Sequence, residues 1–263
     1  MTVATYEVEA FNTATASTNK IHDDAVARSY GFRGGLVPGV DVYAYLTEAP
    51  VARWGRDWLS GGTISARFVK PVYDGERVTV TATEADGGLD LHLADPAGDI
   101  CASGRAASGA IDGDRSAVAA APLPDPDQQP PASPDSLRPG TVLGSLHDVF
   151  DAAAHVAYLA DIRATQPMYA ADGLAHPGWL LRFANSILVR NVELGPWIHV
   201  SSDVALLGLV EDGEPVETRA VVVDERERKG HRFVVLDVAI TSDGRPIQRI
   251  THTAIHTPRR VAP

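Results

Sequence analysis

Along this chain the hydrophobic positions change period in a set order, and the order occurs twice. The stretch PGWLLRFANSILVRN, from Pro177, places Leu180, Phe183, Ala184, Ile187 and Leu188 at the spacing of one helical face. The earlier stretch PGVDVYAYLTEAPVARW opens on the same pair, Pro38 and Gly39, and proline suits a helix start because its missing N–H would be unpaired there anyway. Two long helices are predicted, starting near Pro38 and Pro177. After each helix the period drops to two. In the first half, residues 63–84, 89–95 and 99–107 alternate as strands around a Pro-Ala-Gly-Asp turn. In the second, residues 199–225, 231–241 and 246–256 do so around Ser-Asp-Gly. Tyr73-Asp74-Gly75-Glu76 and Glu211-Asp212-Gly213-Glu214 occupy matching places as turns. A helix followed by four strands, twice, predicts an α+β fold built by duplication, each antiparallel sheet wrapped around one helix. Two such sheets joined edge to edge would bury both helices.

Composition divides the chain at one place. Between residues 116 and 140 stand seven prolines, from Pro122 to Pro139. Proline removes backbone donors and favours extended chain, so a semi-rigid linker without regular secondary structure is predicted to run over the surface. The expected organisation is a first repeat at 1–115, a linker at 116–140 and a second repeat at 141–263. A net charge of −11 with scattered Lys and Arg argues against a nucleic-acid partner. No long apolar run suggests a membrane span. The N-terminal stretch has no basic segment leading into an apolar one, and the single cysteine, Cys101, has no internal partner. Both features suit a reducing compartment, so a cytoplasmic location is expected, with Cys101 a buried strand residue.

One stretch carries chemistry. FNTATASTNKIHDDAVARSYGFRGGLVPG, ending at Gly39, presents Asn19, Ile21 and His22, then Ala25, then the pair Gly31 and Phe32, then Gly39 at the helix start. In that order it resembles the MaoC-like family of (R)-specific enoyl-thioester hydratases and 3-hydroxyacyl-thioester dehydratases. Their signature runs Gly-Asp-x-Asn-Pro-x-His, followed by an alanine-containing short helix, Gly-Phe and the glycine of the central helix. Three positions depart from it: Ala16 stands in place of Gly, Lys20 in place of Pro, and Ser17 in place of the catalytic Asp. The resemblance covers the first half clearly and the second as a degenerate repeat. It implies a double hot-dog fold and an acyl thioester substrate, carried by CoA or an acyl carrier protein, in fatty acid or polyketide metabolism. It implies no cofactor and no metal.

Hydration of an enoyl thioester needs a base and an acid at carbons 2 and 3, and a donor where enolate charge builds. The resemblance assigns proton transfer to His22, with Asn19 and Ser17 beside it. A serine hydroxyl hydrogen-bonds but is not an ionised base near neutral pH. Gly39 N–H, at a helix N-terminus, suits the thioester oxygen. Val37, Tyr43 and Tyr169 are expected to contact substrate, and Val40, Trp54 and Trp58 are further tunnel candidates. In the second half Gln166, Pro167 and Tyr169 stand where Asn, Pro and His would lie, so that half is expected to lack proton-transfer machinery. Asp161 and His176 are candidates to reach across the pseudo-twofold axis. Asp23 and Asp24 point away from His22 on a short helix. Arg28, Arg33, Arg67 and Lys70 are candidate contacts for a phosphate or an acidic carrier. His252 and His256, with no carboxylate or thiolate companion in sequence, read as a solvated strand face. Two further functions stand beside the hydratase/dehydratase reading: an acyl-thioester-binding protein without catalysis, and a thioesterase. The two fused halves supply the paired sheet of a dimer, so a monomer (a pseudo-dimer) or a homodimer is expected.

Overall fold

The computed structural model describes residues 2–109 and 117–259. The first repeat runs β1 (Thr2–Glu9), a 3-10 turn (Lys20–His22), α1 (Asp24–Ser29), α2 (Gly39–Trp54), α3 (Arg56–Leu59), β2 (Gly62–Phe68), β3 (Arg77–Ala85), β4 (Gly88–Ala94) and β5 (Ile100–Ser108). The second runs β6 (Val142–Val149), α4 (Ala152–Asp161), α5 (Met168–Ala171), α6 (Pro177–Val189), β7 (Ile198–Leu206), β8 (Pro215–Arg228), β9 (His231–Ser242) and β10 (Arg245–Thr257). All ten strands form one antiparallel sheet in the order β1-β3-β4-β5-β2-β7-β10-β9-β8-β6. Read inward from each edge, the order is the same in both repeats, and they meet where β2 pairs with β7 from Thr63↔Ala205 to Arg67↔Ser201. The four strands expected after each helix are present, and β1 and β6 add an outer strand that the period-two reading had not included. Among the described residues no helix is long and apolar enough to cross a membrane.

Matching turns close the two repeats with the same hydrogen bonds. Gly75 N–H donates to Ala10 O at 2.8 Å, and Gly213 N–H to Phe150 O at 2.9 Å. Val37 N–H reaches Val72 O at 2.8 Å, and Ala175 N–H reaches Val210 O at 2.9 Å. Both turn glycines have positive φ, which fits glycine at those positions. These pairs set the correspondence between the helix starts: Val37 matches Ala175, so Pro38 matches His176 and Gly39 matches Pro177. The two Pro-Gly pairs are therefore one residue out of register in space. Pro38 is the N-cap of α2, whereas His176 is the N-cap of α6 and Pro177 its first residue.

From residue 117 the proline-rich segment is fastened to the second repeat. Ser145 N–H donates to Ala121 O, and Ala132 N–H to Glu193 O, both at 2.9 Å. Leu123 lies against Gly144, where a Cβ would come within 2.5 Å of the Leu123 Cα. Leu137 is fully buried in the core. A 3-10 turn, Pro126–Gln128, and a turn closed by Leu137 N–H to Ser133 O at 3.0 Å interrupt its course. The expected boundary at 115–116 lies outside the described residues.

One hydrophobic core runs through both repeats. Every residue of α2 from Val40 to Val51 is buried, including Asp41, Thr47 and Glu48. Those polar groups are bonded across the repeat boundary. Arg182 of α6 donates to Asp41 Oδ1 and to Thr13 Oγ1, both at 2.8 Å, and Thr13 O–H donates to Asp41 Oδ2 at 2.6 Å. Thr165 O–H donates to Glu48 Oε2 at 2.5 Å. Burial pushes the Asp41 carboxyl upward, and the Arg182 guanidinium and the Thr13 hydroxyl pull it back. Removing the cation alone strands a buried carboxylate. Arg182→Met should therefore lower stability by about 3–5 kcal/mol, and the double variant Asp41→Leu/Arg182→Met by clearly less, in urea unfolding at pH 7. Equal losses would show that the pair does not act as a unit.

Candidate active site at the start of the first central helix

The segment from Asn19 to Leu36 is shaped by local hydrogen bonds. Asn19 caps the 3-10 turn, its Oδ1 accepting from Ile21 N–H at 3.3 Å. Asp23 then caps α1 by accepting from Ala25 and Val26 N–H. Ile21, Ala27 and Leu36 form a small apolar cluster of their own, with Phe32 and Tyr73 against it. Gly35 passes so close to the turn that a Cβ there would lie 2.1 Å from His22 O, so no larger residue fits without backbone movement.

This packing fixes the His22 ring. Nδ1 lies 2.7 Å from Leu36 O, which can only accept, so Nδ1 carries the proton and Nε2 is the lone-pair nitrogen. The Asn19 amide approaches Nε2 at 3.3 Å and also donates to Trp197 O at 3.0 Å, while Trp197 N–H donates to Asn19 Oδ1 at 3.2 Å. Asn19 thus ties the loop of one repeat to the other. Burial lowers the His22 pKa, outweighing the opposite pulls of the Leu36 carbonyl and Asp41. The imidazole is neutral near pH 7 and basic at Nε2.

His22 and Asn19 line a cavity of about 240 Å³. Its walls come from both repeats: Phe32, Val37, Gly39, Val42 and Phe68 from the first, and Asn185, Trp197, His199 and Ile255 from the second. Lys70 and His231 also line it. A larger open groove of about 640 Å³ crosses the β2–β7 junction, lined in part by Arg105, Asp203 and Arg249, but none of the motif residues reaches it.

The two central helices treat their N-termini differently. At α6, His176 Nδ1 accepts from Gly178 N–H at 3.0 Å, and Pro177 has no N–H to offer. The surrounding space is filled by the buried rings of Tyr158, Tyr169 and His155. At α2, Pro38 makes no side-chain cap, and among the described contacts Gly39 N–H has no protein partner. A helix N-terminus with free donors facing a cavity attracts a partly negative oxygen.

Of the residues singled out from sequence, His22, Asn19, Val37 and Gly39 meet at this cavity. Ser17 does not line it: its Oγ accepts from Asn19 N–H at 3.1 Å and so supports the loop. Tyr43 is fully buried inside the core and away from the cavity wall, as are Val40 and Trp58, and Trp54 also lies off that wall. Tyr169 is buried against His176 at 4.5 Å between ring centres. Its carbonyl accepts from Leu174 N–H as that of Ile21 accepts from Leu36 N–H, so Tyr169 is the counterpart of Ile21 rather than of His22. Asp161 and His176 do not reach the cavity. Lys70 lines it while paired with Asp99 at 2.7 Å, whereas Arg28, Arg33 and Arg67 pair with Asp24, Glu76 and Asp203. Cys101 is buried on β5.

The reading of His252 and His256 as a solvated face is corrected, for both are buried. His256 Nε2 lies 3.1 Å from Glu225 Oε1, a carboxylate companion 31 residues away that spacing along one strand did not reveal. His252 belongs to a chain with Ser202 and His199. Asn185, Trp197 and His199 carried no sequence signal, because their place in the site comes from the fold bringing α6 and β7 against α2. Among the described residues no group of three His, Cys, Asp or Glu side chains is arranged to hold a metal ion.

No protein-family model matches the sequence, and neither does any curated protein. Solved structures do match in shape. A MaoC-like dehydratase superposes with a TM-score of 0.64 at 12% identity, covering 96% of this chain and 97% of its own. A protein from Chloroflexus aurantiacus J-10-fl, described as a MaoC domain dehydratase, gives 0.66 at 11% identity over 98% and 95%. Rv0216 from Mycobacterium tuberculosis, described as having a double hotdog fold, gives 0.61 at 16% identity over 95% of both chains. The chain has the double hot-dog fold of these proteins, as the resemblance in its first half implied.

Two outcomes follow from this geometry. A Cβ at Gly39 would sit 2.8 Å from His199 Nδ1, so Gly39→Ala should push His199 into the cavity and weaken binding of a saturated acyl-CoA by about tenfold or more, read by calorimetry. Unchanged affinity would place the ligand elsewhere. Burial also lowers the pKa of four histidines, to about 4 at His155, to about 3 at His252, and well below the usual value at His176 and His199. Above pH 6.5 both the folded and unfolded states hold them neutral; below it only the unfolded state takes up their protons, so stability is lost as pH falls. Urea midpoints should be level from about pH 8 to 7 and decline between about pH 6.5 and 5, above the carboxylate range. A flat profile there would contradict the burial of these rings.

Proposed function

We propose that this protein is a MaoC-like hydratase/dehydratase acting on an enoyl or 3-hydroxyacyl thioester, carried by CoA or an acyl carrier protein, in the cytoplasm. The observation that carries this reading is the opening of one cavity onto both a neutral histidine with a fixed lone pair at Nε2 and the uncapped N-terminus of α2. The apolar walls fit an acyl chain, and the Gly39 N–H suits its thioester oxygen.

With no carboxylate at Ser17, His22 serves as the single base. In dehydration, Nε2 takes the proton from carbon 2, and the electron pair forms the double bond to carbon 3. The hydroxyl on carbon 3 leaves with the proton held by Nε2, as water. Hydration runs the same steps in reverse. Gly39 N–H stabilises the negative charge that builds on the thioester oxygen between them. Asn19 holds the ring's approach and keeps the loop against Trp197.

A second reading, an acyl-thioester-binding protein without catalysis, is favoured by Ser17, whose hydroxyl serves the loop rather than the cavity. Incubation with crotonyl-CoA, following both enone absorbance and free thiol, separates the readings. Loss of absorbance without thiol marks hydration, thiol release marks a thioesterase, and binding without either marks the second reading. If the hydratase reading holds, His22→Ala should lower kcat by about 10²-fold or more with the fold retained. Full activity in His22→Ala would move the chemistry elsewhere.

A further inference from the structure

The cavity has a second end, away from His22. The pairing of β2 with β7 stops at Arg67↔Ser201, and the chain beyond it, from Phe68 on one side and before His199 on the other, lines the cavity together with Ile255 and His231. Strand register carries this path across the sheet. Ile198 stands opposite Ile255, Ile255 opposite Phe233, and Phe233 opposite Arg226, so these four side chains share one face in a single cross-strand row. The next row on that face, toward the β8–β9 hairpin, is His231 opposite Arg228. Apolar side chains at the cavity thus give way to cations at the hairpin.

Three of those cations have no acid beside them. Arg226 pairs with Asp224, and Arg232 with Glu225 and Glu227, but Arg228, Lys229 and Arg259 form no ion pair among the described residues. Arg259 folds back over the hairpin tip: a Cβ at Gly230 would lie 3.1 Å from its Cδ, and its backbone N–H donates to His231 Nδ1 at 3.1 Å. With Nδ1 accepting, the neutral His231 ring carries its proton on Nε2, which has no partner among the described residues. In a chain of net charge −11, unneutralised cations grouped around a ring N–H at the end of a cavity suit a polyanion. The opposite rim is acidic. Lys70 there is held by Asp99 at 2.7 Å, in a turn that also presents Asp95, and Arg67 lies 4.0 Å from Asp203. A broad acidic protein surface would meet those carboxylates, whereas a narrow phosphate chain reaches the hairpin alone. We propose that Arg228, Lys229, His231 and Arg259 bind the phosphates of coenzyme A, with the pantetheine arm running along Ile198 and Ile255 into the cavity. That the acyl end then lies at Gly39 rests on the hydratase/dehydratase reading.

Calorimetry with butyryl-CoA, butyryl-pantetheine and adenosine 3′,5′-bisphosphate tests this, with circular dichroism reporting whether each variant is folded. Butyryl-CoA should bind the parent at least about thirtyfold more tightly than butyryl-pantetheine, which lacks the phosphates. Arg228→Glu/Arg259→Glu should weaken butyryl-CoA and the bisphosphate by about thirtyfold and leave butyryl-pantetheine within about threefold. If that pair does not fold, Arg228→Gln/Arg259→Gln makes the same comparison, with a loss of about tenfold expected. Equal affinity of the parent for butyryl-CoA and butyryl-pantetheine, or a folded double variant that binds butyryl-CoA as the parent does, would overturn the assignment. So would a double variant that keeps butyryl-CoA but loses a butyryl-carrier protein, which would give the hairpin to a protein donor. A parent that hydrates no thioester yet binds the bisphosphate, with that binding lost in the double variant, refutes the hydratase reading and supports the phosphate site. Crotonyl-pantetheine hydrated with the same kcat/KM as crotonyl-CoA refutes the site and supports that reading, and no binding of any of the three ligands refutes the site.

Discussion

The first central helix has no face left for solvent from Val40 to Val51, and this constraint organises the molecule. A helix buried all round cannot be covered by one curled sheet alone, so the second repeat and its α6 must pack against it. Its polar residues then have to be satisfied from the other repeat. Asp41 is held by Arg182, and Glu48 by Thr165, so the contact between halves is specified by hydrogen bonds and charge as well as by shape. Pairing of β2 with β7 supplies the continuous sheet that lets both helices share one core.

Against this near-symmetric frame the two helix starts differ by one residue in register, and that shift has chemical consequences. In the second repeat a proline at the first helical position and a histidine cap leave the helix end silent, and tyrosines fill the space beside it. In the first, proline moves to the cap position, which leaves the first helical N–H available, and the Asn19–His22 turn arrives at the same point. Two copies of one scaffold thus carry one cavity with donors and a base, and one closed core. The open site still depends on the closed repeat, which contributes Trp197 to hold Asn19 and His199 to pack on Gly39.

Much of this was legible in the sequence. Periodicity and Pro-Gly punctuation are local, so both central helices and the strands after them could be read without knowing what they pack against. The short segment from Asn19 to Gly39 also carried its meaning locally, since a cap, a turn and a helix start are made by neighbours in the chain. Ser17 shows where that stops: its position matches the family's acid, but its hydroxyl is turned to the Asn19 backbone. Tyr43 read as substrate-lining, yet it faces the core while its neighbour Val42 lines the cavity.

What the sequence determined by itself was the repeat, the α+β class, and the local segment that runs from Asn19 to the helix start at Gly39. What only the tertiary structure decided was the far wall of the site and the fate of the second helix start. Asn185, Trp197 and His199 lie more than 140 residues from Gly39 along the chain. His252 and His256 looked like a solvated face because their partners, Ser202 and Glu225, come from other strands. Burial and pairing across a sheet depend on strand order and register, and those are set by the summed packing of both repeats rather than by the spacing of residues along any one strand.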